Sequence, residues 1–323
     1  MEGYKRFALE LRHKRRAHPV VAALLKPFIR APTPTAAGRI GETMVAKLLQ
    51  APAFYAFAAG LVALLLFAGL ERSQGELPAG RRNNGAPRLV VVELFTSEGC
   101  SSCPPADTLL KKLSEQQSVE GAQVVALEEH VDYWNHLGWS DPFSSSEFSE
   151  RQSDYARAFG NDGVYTPQMI VDGKSEFVGS RSFAAREAIN KAGNLPKFAV
   201  TLHPVASAIP GEAVLQLSIE NPDRVSLRGG LELWVAVTEK SLQSDVKAGE
   251  NSGELLKHGP VVRSLRKEKV AAEIAGYQAQ LRLALDPTWK KENLRVVAFL
   301  AEADSRQIVG VGTTSLSAVS AGN

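Results

Sequence analysis

The chain has 323 residues, enough for two or three ordinary domains. Its 44% hydrophobic and 22% charged residues exclude a collagenous, low-complexity or wholly disordered polymer, and a mean hydropathy of −0.11 excludes a multi-spanning transporter. The net charge of +2 is unevenly distributed: residues 1–50 hold ten Lys or Arg against three acids, so the remainder of the chain is acidic.

In chain order, the basic leader (1–50) runs into Ala51 to Leu70, APAFYAFAAGLVALLLFAGL, which has no charged residue. Twenty helical residues at ~1.5 Å each reach ~30 Å, the thickness of a bilayer's hydrocarbon core. No polar face is left for a soluble helix. The segment is therefore expected to be a transmembrane helix or signal anchor, with the leader on the cytoplasmic side. The expected location is the inner membrane, single-pass, with the globular part in the periplasm, or secreted if the segment is a cleaved signal. After Leu66 the chain reads FAGLERSQG, a poor match to a small-residue cleavage site. Met44, ahead of Lys47, is an alternative start. A basic head that precedes a membrane span gives no support for nucleic-acid binding. Residues 71–87, rich in Gly, Pro, Asn and Arg, read as a tether.

From Arg88 the pattern alternates between strand and helix. Strands are expected at 89–95, 123–127, 169–171 and 175–178, with helices at 104–117, 144–159 and 182–192. Pro104 and Pro105 suit a first helical turn, and Asp172-Gly173 suits a hairpin turn. This order implies a small mixed sheet covered by helices, over residues 88–194. After Pro196 the runs 198–203, 213–220, 231–238, 276–285, 294–301 and 307–314 are strand-like and separated by turn residues. They predict an all-β, sandwich-like domain over 195–318.

The chemistry is concentrated in GCSSCPP, residues 99–105. Unpaired N–H groups at a helix start carry roughly half a positive charge, which stabilises a thiolate. Cys100 at the tip is the expected nucleophile and Cys103 the resolving thiol. Three alternatives stay open beside dithiol/disulfide chemistry. A structural disulfide would close a short loop. Zinc would need two further ligands. Copper(I) could be bound with help from His130 or His136. No resident cofactor is expected, no residue is assigned as a metal ligand, and no Walker loop, dinucleotide fingerprint or Ser-His-Asp order is present, so nucleotide-dependent and hydrolase functions have no support.

The stretches VVELFTSEGCSSCPPADTLL, HVDYWNHLGWSDPF, ERQSDYA, VYTPQMIVDG and GENSGELLKHGPVVRSL resemble the DUF1223 family of secreted bacterial proteins, from about Leu89 to Gly310. The resemblance implies a thioredoxin-like fold for the first domain, followed by a β-rich one. It also implies a cis proline at Thr166-Pro167 that faces the CxxC and, with Thr166, guides an incoming peptide strand. Thioredoxins keep a buried acid in the first strand. The nearest acids here are Glu93 and Glu98, with Glu93 a candidate proton carrier if buried and a solvated edge acid otherwise. His130, Asp132, Tyr133 and Trp134 follow the second strand, at the sheet edge that should carry the CxxC. They are candidates for substrate binding, or for packing beneath the active-site loop. His203 and His258 are expected at the surface or at a domain contact. The expected function is a membrane-tethered thiol-disulfide oxidoreductase acting on exported protein thiols or disulfides. The alternative is a non-catalytic or copper-binding module of the cell envelope.

Overall fold

The computed structural model describes residues 88–317, apart from 117, 228 and 271–273. The leader, the expected membrane span at 51–70 and the tether lie outside the described residues. Among the described residues no helix is long and apolar enough to cross a membrane.

The first half runs β1 (Arg88–Thr96), α1 (Pro104–Glu115), β2 (Ala122–His130), α2 (Ser146–Phe159), β3 (Gln168–Val171), β4 (Ser175–Val178) and α3 (Ser182–Gly193). The second half is built from strands: β5 (Phe198–Val205), β6 (Glu212–Glu220), β7 (Leu231–Glu239), β8 (Gln243–Asp245), β9 (Leu255–Lys257), β10 (Val261–Glu268), β11 (Tyr277–Ala284), β12 (Leu294–Glu302) and β13 (Ile308–Ser315). The hairpin between β3 and β4 turns at Asp172 and Gly173, with φ of 49° and 63°. These left-handed values suit an Asp-Gly pair.

The expected fold class, a thioredoxin-like domain followed by a separate sandwich-like one, is corrected by the sheet. Eleven strands form one mixed sheet in the order β11-β6-β5-β13-β12-β7-β10-β2-β1-β3-β4, with β8 and β9 as a separate ribbon. The seam is β10, which pairs antiparallel with β7 and meets β2 in parallel through Val261 and Glu128. The sequence VVRSLRKE hides this strand, because only its first two residues form an apolar run. The end of β2 is hidden as well. Its last three residues, Glu128, Glu129 and His130, are charged or polar in sequence yet buried in the structure.

Side chains alternate across a strand, so β1 and β2 present two different faces. On one, Val90, Val92 and Leu94 of β1 with Val124 and Ala126 of β2 pack under Ala106, Leu110 and Leu113 of α1 and Ile189 of α3. On the other, Val91, Val125 and Leu127 join Phe148 of α2 and continue without a break into Ala236, Val262, Val297 and Phe299 of the second half. This shared apolar layer gives a physical reason for a continuous sheet: separating the halves would expose both sides of it to water. A third cluster, including Leu215, Leu217, Val235 and Val296, fills the interior of the second half.

Candidate functional site

Cys100 and Cys103 are joined as a disulfide with their Cα atoms 5.4 Å apart. Cys103 is the N-cap of α1, with Pro at the first helical positions, and its carbonyl accepts from the N–H groups of Ala106 and Asp107 at 2.8 and 3.2 Å. Neither cysteine is exposed to solvent, although Ser101 and Ser102 between them are. The segment between β8 and β9 is hydrogen-bonded to this loop. Asn251 Nδ2 donates to the carbonyls of Glu98 and Cys100 at 2.8 and 3.0 Å, and Ser101 N–H donates to Glu250 at 3.1 Å. The disulfide is thus held by chain from both halves.

Behind it lies a buried charged cluster on the same sheet face as α1. His130 Nδ1 is 2.7 Å from Asp141 Oδ2, and its Nε2 is 3.3 Å from Glu128 Oε1. His258 Nδ1 is 3.1 Å from that same Glu128 oxygen, and its Nε2 is 3.0 Å from Glu98 Oε1. Glu128, His130 and His258 could together hold a metal ion. Burial by itself would raise the Glu128 pKa, but its hydrogen bonds and opposite charges from the two imidazoles bring it down to about 2. The same pairing outweighs burial at His258, which rises to about 9, and at His130, which rises well above the usual histidine range through Asp141 and then Glu128. Asp107, on α1, accepts from Thr96 Oγ1 at 2.6 Å. Its burial, and then the charge of Glu128, push it up to about 7.

The residues singled out in the sequence are distributed unevenly around this centre. The Thr166-Pro167 bond is cis. A methyl group added at Gly179 would come within 3.0 Å of Ala106 Cβ and 3.2 Å of Pro167 Cβ, which sets Pro167 beside the first turn of α1. Trp134 Nε1–H donates to Thr166 Oγ1 at 2.9 Å, so the loop after β2 is tied to this proline. His130 is inside the cluster, whereas His136 is exposed. Asp132 and Tyr133 turn to α2: Ser149 Oγ donates to Asp132 at 2.6 Å, and Tyr133 OH donates to Gln152 at 3.1 Å. Burial raises the Tyr133 pKa.

Glu93 is fully buried, not a solvated edge acid, and it lies on the sheet face opposite α1. There it accepts from Arg151 Nε at 2.7 Å and Tyr155 OH at 2.5 Å. The copper(I) alternative loses its sulfur ligands while the two cysteines are bonded to each other.

From the sequence alone Asp107, Glu128, Asp141, Asn251 and His258 carry no site role. Asp107 had a signal, since it stands four residues after Cys103 and hence on the same helix side. His258 was expected at the surface or at a domain contact; it is 1% exposed and bridges the halves. Asn251 and His258 both fall in GENSGELLKHGP, within a stretch that carries the family resemblance.

A crystal structure of an Agrobacterium tumefaciens protein is 30% identical, covering 69% of this chain and 92% of its own, with a TM-score of 0.50. HBP35 of Porphyromonas gingivalis is 18% identical over 72% of this chain and 76% of its own, with a TM-score of 0.51, a likeness of fold alone. No curated protein matches the sequence. The family described as "Protein of unknown function (DUF1223)" matches residues 91–301, and the chain belongs to the DUF1223 family.

Proposed function

We propose that the protein is a cell-envelope thiol-disulfide exchange protein whose partners are exported protein thiols or disulfides. The observation that carries this is the Cys100–Cys103 disulfide at the amino end of α1, with Asp107 one turn behind it at a pKa of about 7. A helix start favours a thiolate, and a carboxyl group near neutrality suits proton transfer.

In the oxidising direction, a substrate thiolate attacks Cys100 Sγ. The Cys100–Cys103 bond breaks, its electron pair leaves on Cys103, and that sulfur takes a proton. A second substrate thiolate then displaces Cys100, so the substrate departs with a disulfide and both cysteines are reduced. Neither sulfur is exposed, so in this reading the disulfide loop, to which Glu250 and Asn251 are hydrogen-bonded, opens to admit the substrate.

The same lack of exposure favours a second reading, in which the disulfide fastens a loop of a binding protein. Equilibration of the full chain with glutathione separates the two. A potential of about −120 to −270 mV, with exchange lost in Cys100→Ser, supports the first reading, and one below about −300 mV supports the second.

A further inference from the structure

We infer that Glu128, His130 and His258 form a binding site for a divalent transition-metal ion of the zinc type. The inference does not rest on the disulfide being redox-active.

Two imidazole nitrogens face one carboxylate oxygen at 3.3 and 3.1 Å, and the ligand atoms of all three residues lie within 4.8 Å of one another. Zn–N and Zn–O bonds of ~2.0–2.1 Å in a tetrahedron put neighbouring ligand atoms ~3.3 Å apart, so both N···O edges already have nearly the required length.

The outer sides of the ligands are also organised for a metal. His130 Nδ1 is held by Asp141 and His258 Nε2 by Glu98. Carboxylates in these positions take the outer N–H and direct the other nitrogen's lone pair inward, the arrangement found behind metal-bound histidines. Those carboxylates are themselves fixed. Asp141 accepts from the N–H groups of Glu98 and Phe143 at 2.8 and 2.9 Å, and Glu98 accepts from Trp139 Nε1–H at 2.7 Å. Gly259 N–H donates to the second oxygen of Glu128, which leaves Oε1 to the imidazoles. A side chain at position 259 would meet that oxygen, since an added Cβ would come to 2.6 Å from it.

All three ligands are at most 1% exposed, and the Phe143 ring packs edge-on against both imidazoles. Two nitrogens and one oxygen suit zinc and its neighbours rather than calcium or magnesium, and a three-ligand set leaves a fourth position open. A cavity of about 540 Å³ at the seam reaches one of the ligands, being lined by His258, Gly259 and Pro260 together with Lys111, Gln123 and Lys257. Three ligands drawn from β2 and the β9–β10 connection would pin the seam where β10 meets β2.

The test uses untagged full-length chain, stripped with a chelator and titrated with Co²⁺ and Zn²⁺. One equivalent is expected to bind, with the visible absorption of cobalt in a low-coordinate nitrogen and oxygen site. Binding should be lost in His130→Ala and His258→Gln, and weakened about 10–100-fold in Asp141→Asn, which touches no metal. Circular dichroism of each variant shows whether it folds, and the wild-type titration stands independently of the variants. Absence of low-coordinate cobalt absorption in the wild type overturns the site. So does full stoichiometric binding retained by folded His258→Gln, which would place the metal elsewhere.

Discussion

The two faces of β1 and β2 carry buried charge of different kinds. On the α1 face, two imidazoles sit among the carboxylates of Glu128, Glu98 and Asp141, close behind the disulfide. On the α2 face, Glu93 and Glu129 share one guanidinium, that of Arg151, which is also surrounded by the rings of Tyr155, Trp234 and Phe299 at 5.1, 4.9 and 5.2 Å. A guanidinium stays charged at any accessible pH and suits a fixed support. Imidazoles can exchange protons for a metal ion, and suit chemistry. The difference teaches that burial of charge is not by itself a sign of function; the capacity of the buried groups to change state distinguishes the two faces.

Arg151→Met should give the largest effect, because it leaves Glu93 buried without its cation and removes the aromatic contacts. A loss of about 3–5 kcal/mol is expected in urea unfolding, and added zinc should not restore it. Glu128→Gln should come next, at about 3 kcal/mol, since it removes the anion between two imidazoles. The Glu128 pKa is lowered from 4.5 to about 2, so its contribution is present above about pH 4.5 and is lost as pH falls through about 2. A wild-type acid-unfolding curve no steeper than that of the variant would break the contrast between the faces.

Asp107→Asn should act in the opposite direction. The folded pKa, raised from 3.8 to about 7, means that folding favours the protonated acid. Its stabilisation is full below about pH 4 and is lost as pH rises through about 7, above which the buried charge costs stability. The amide removes that cost, so thermal melts should show a gain of about 1–3 kcal/mol at pH 8 and almost none at pH 3. The smallest effect belongs to Glu129→Gln. Burial, and then the charge of Glu93, raise the Glu129 pKa well above the usual carboxylate range, against the lowering charge of Arg151, so folding favours its neutral form. A change under about 1 kcal/mol is expected in the same melts. A loss as large as that of the neighbouring Glu128→Gln would erase the distinction.

The elements with a local cause were legible in the sequence. Pro104 and Pro105 mark the start of α1, Asp172-Gly173 makes the β3–β4 turn, and alternating strands such as β5 carry their burial pattern openly. The CxxC spacing put two sulfurs within bonding reach, and the family resemblance pointed to the cis bond before Pro167. Glu128, Glu129 and His130 looked like the end of a strand, because nothing local distinguishes a solvated charge from one that meets its partner more than a hundred residues away.

That distance marks the division. From its own residues the chain determined where helices begin, where strands alternate and which two cysteines can bond, because turns, caps and short loops are settled by neighbours in sequence. Only the tertiary structure decided that β10 returns to β2, that His258 and Asn251 reach the first half, and that adjacent glutamates enter different charge clusters. Those outcomes depend on long-range pairing: burying the shared apolar layer of the two halves brings the charges together, and their charge states follow from the partners they find there.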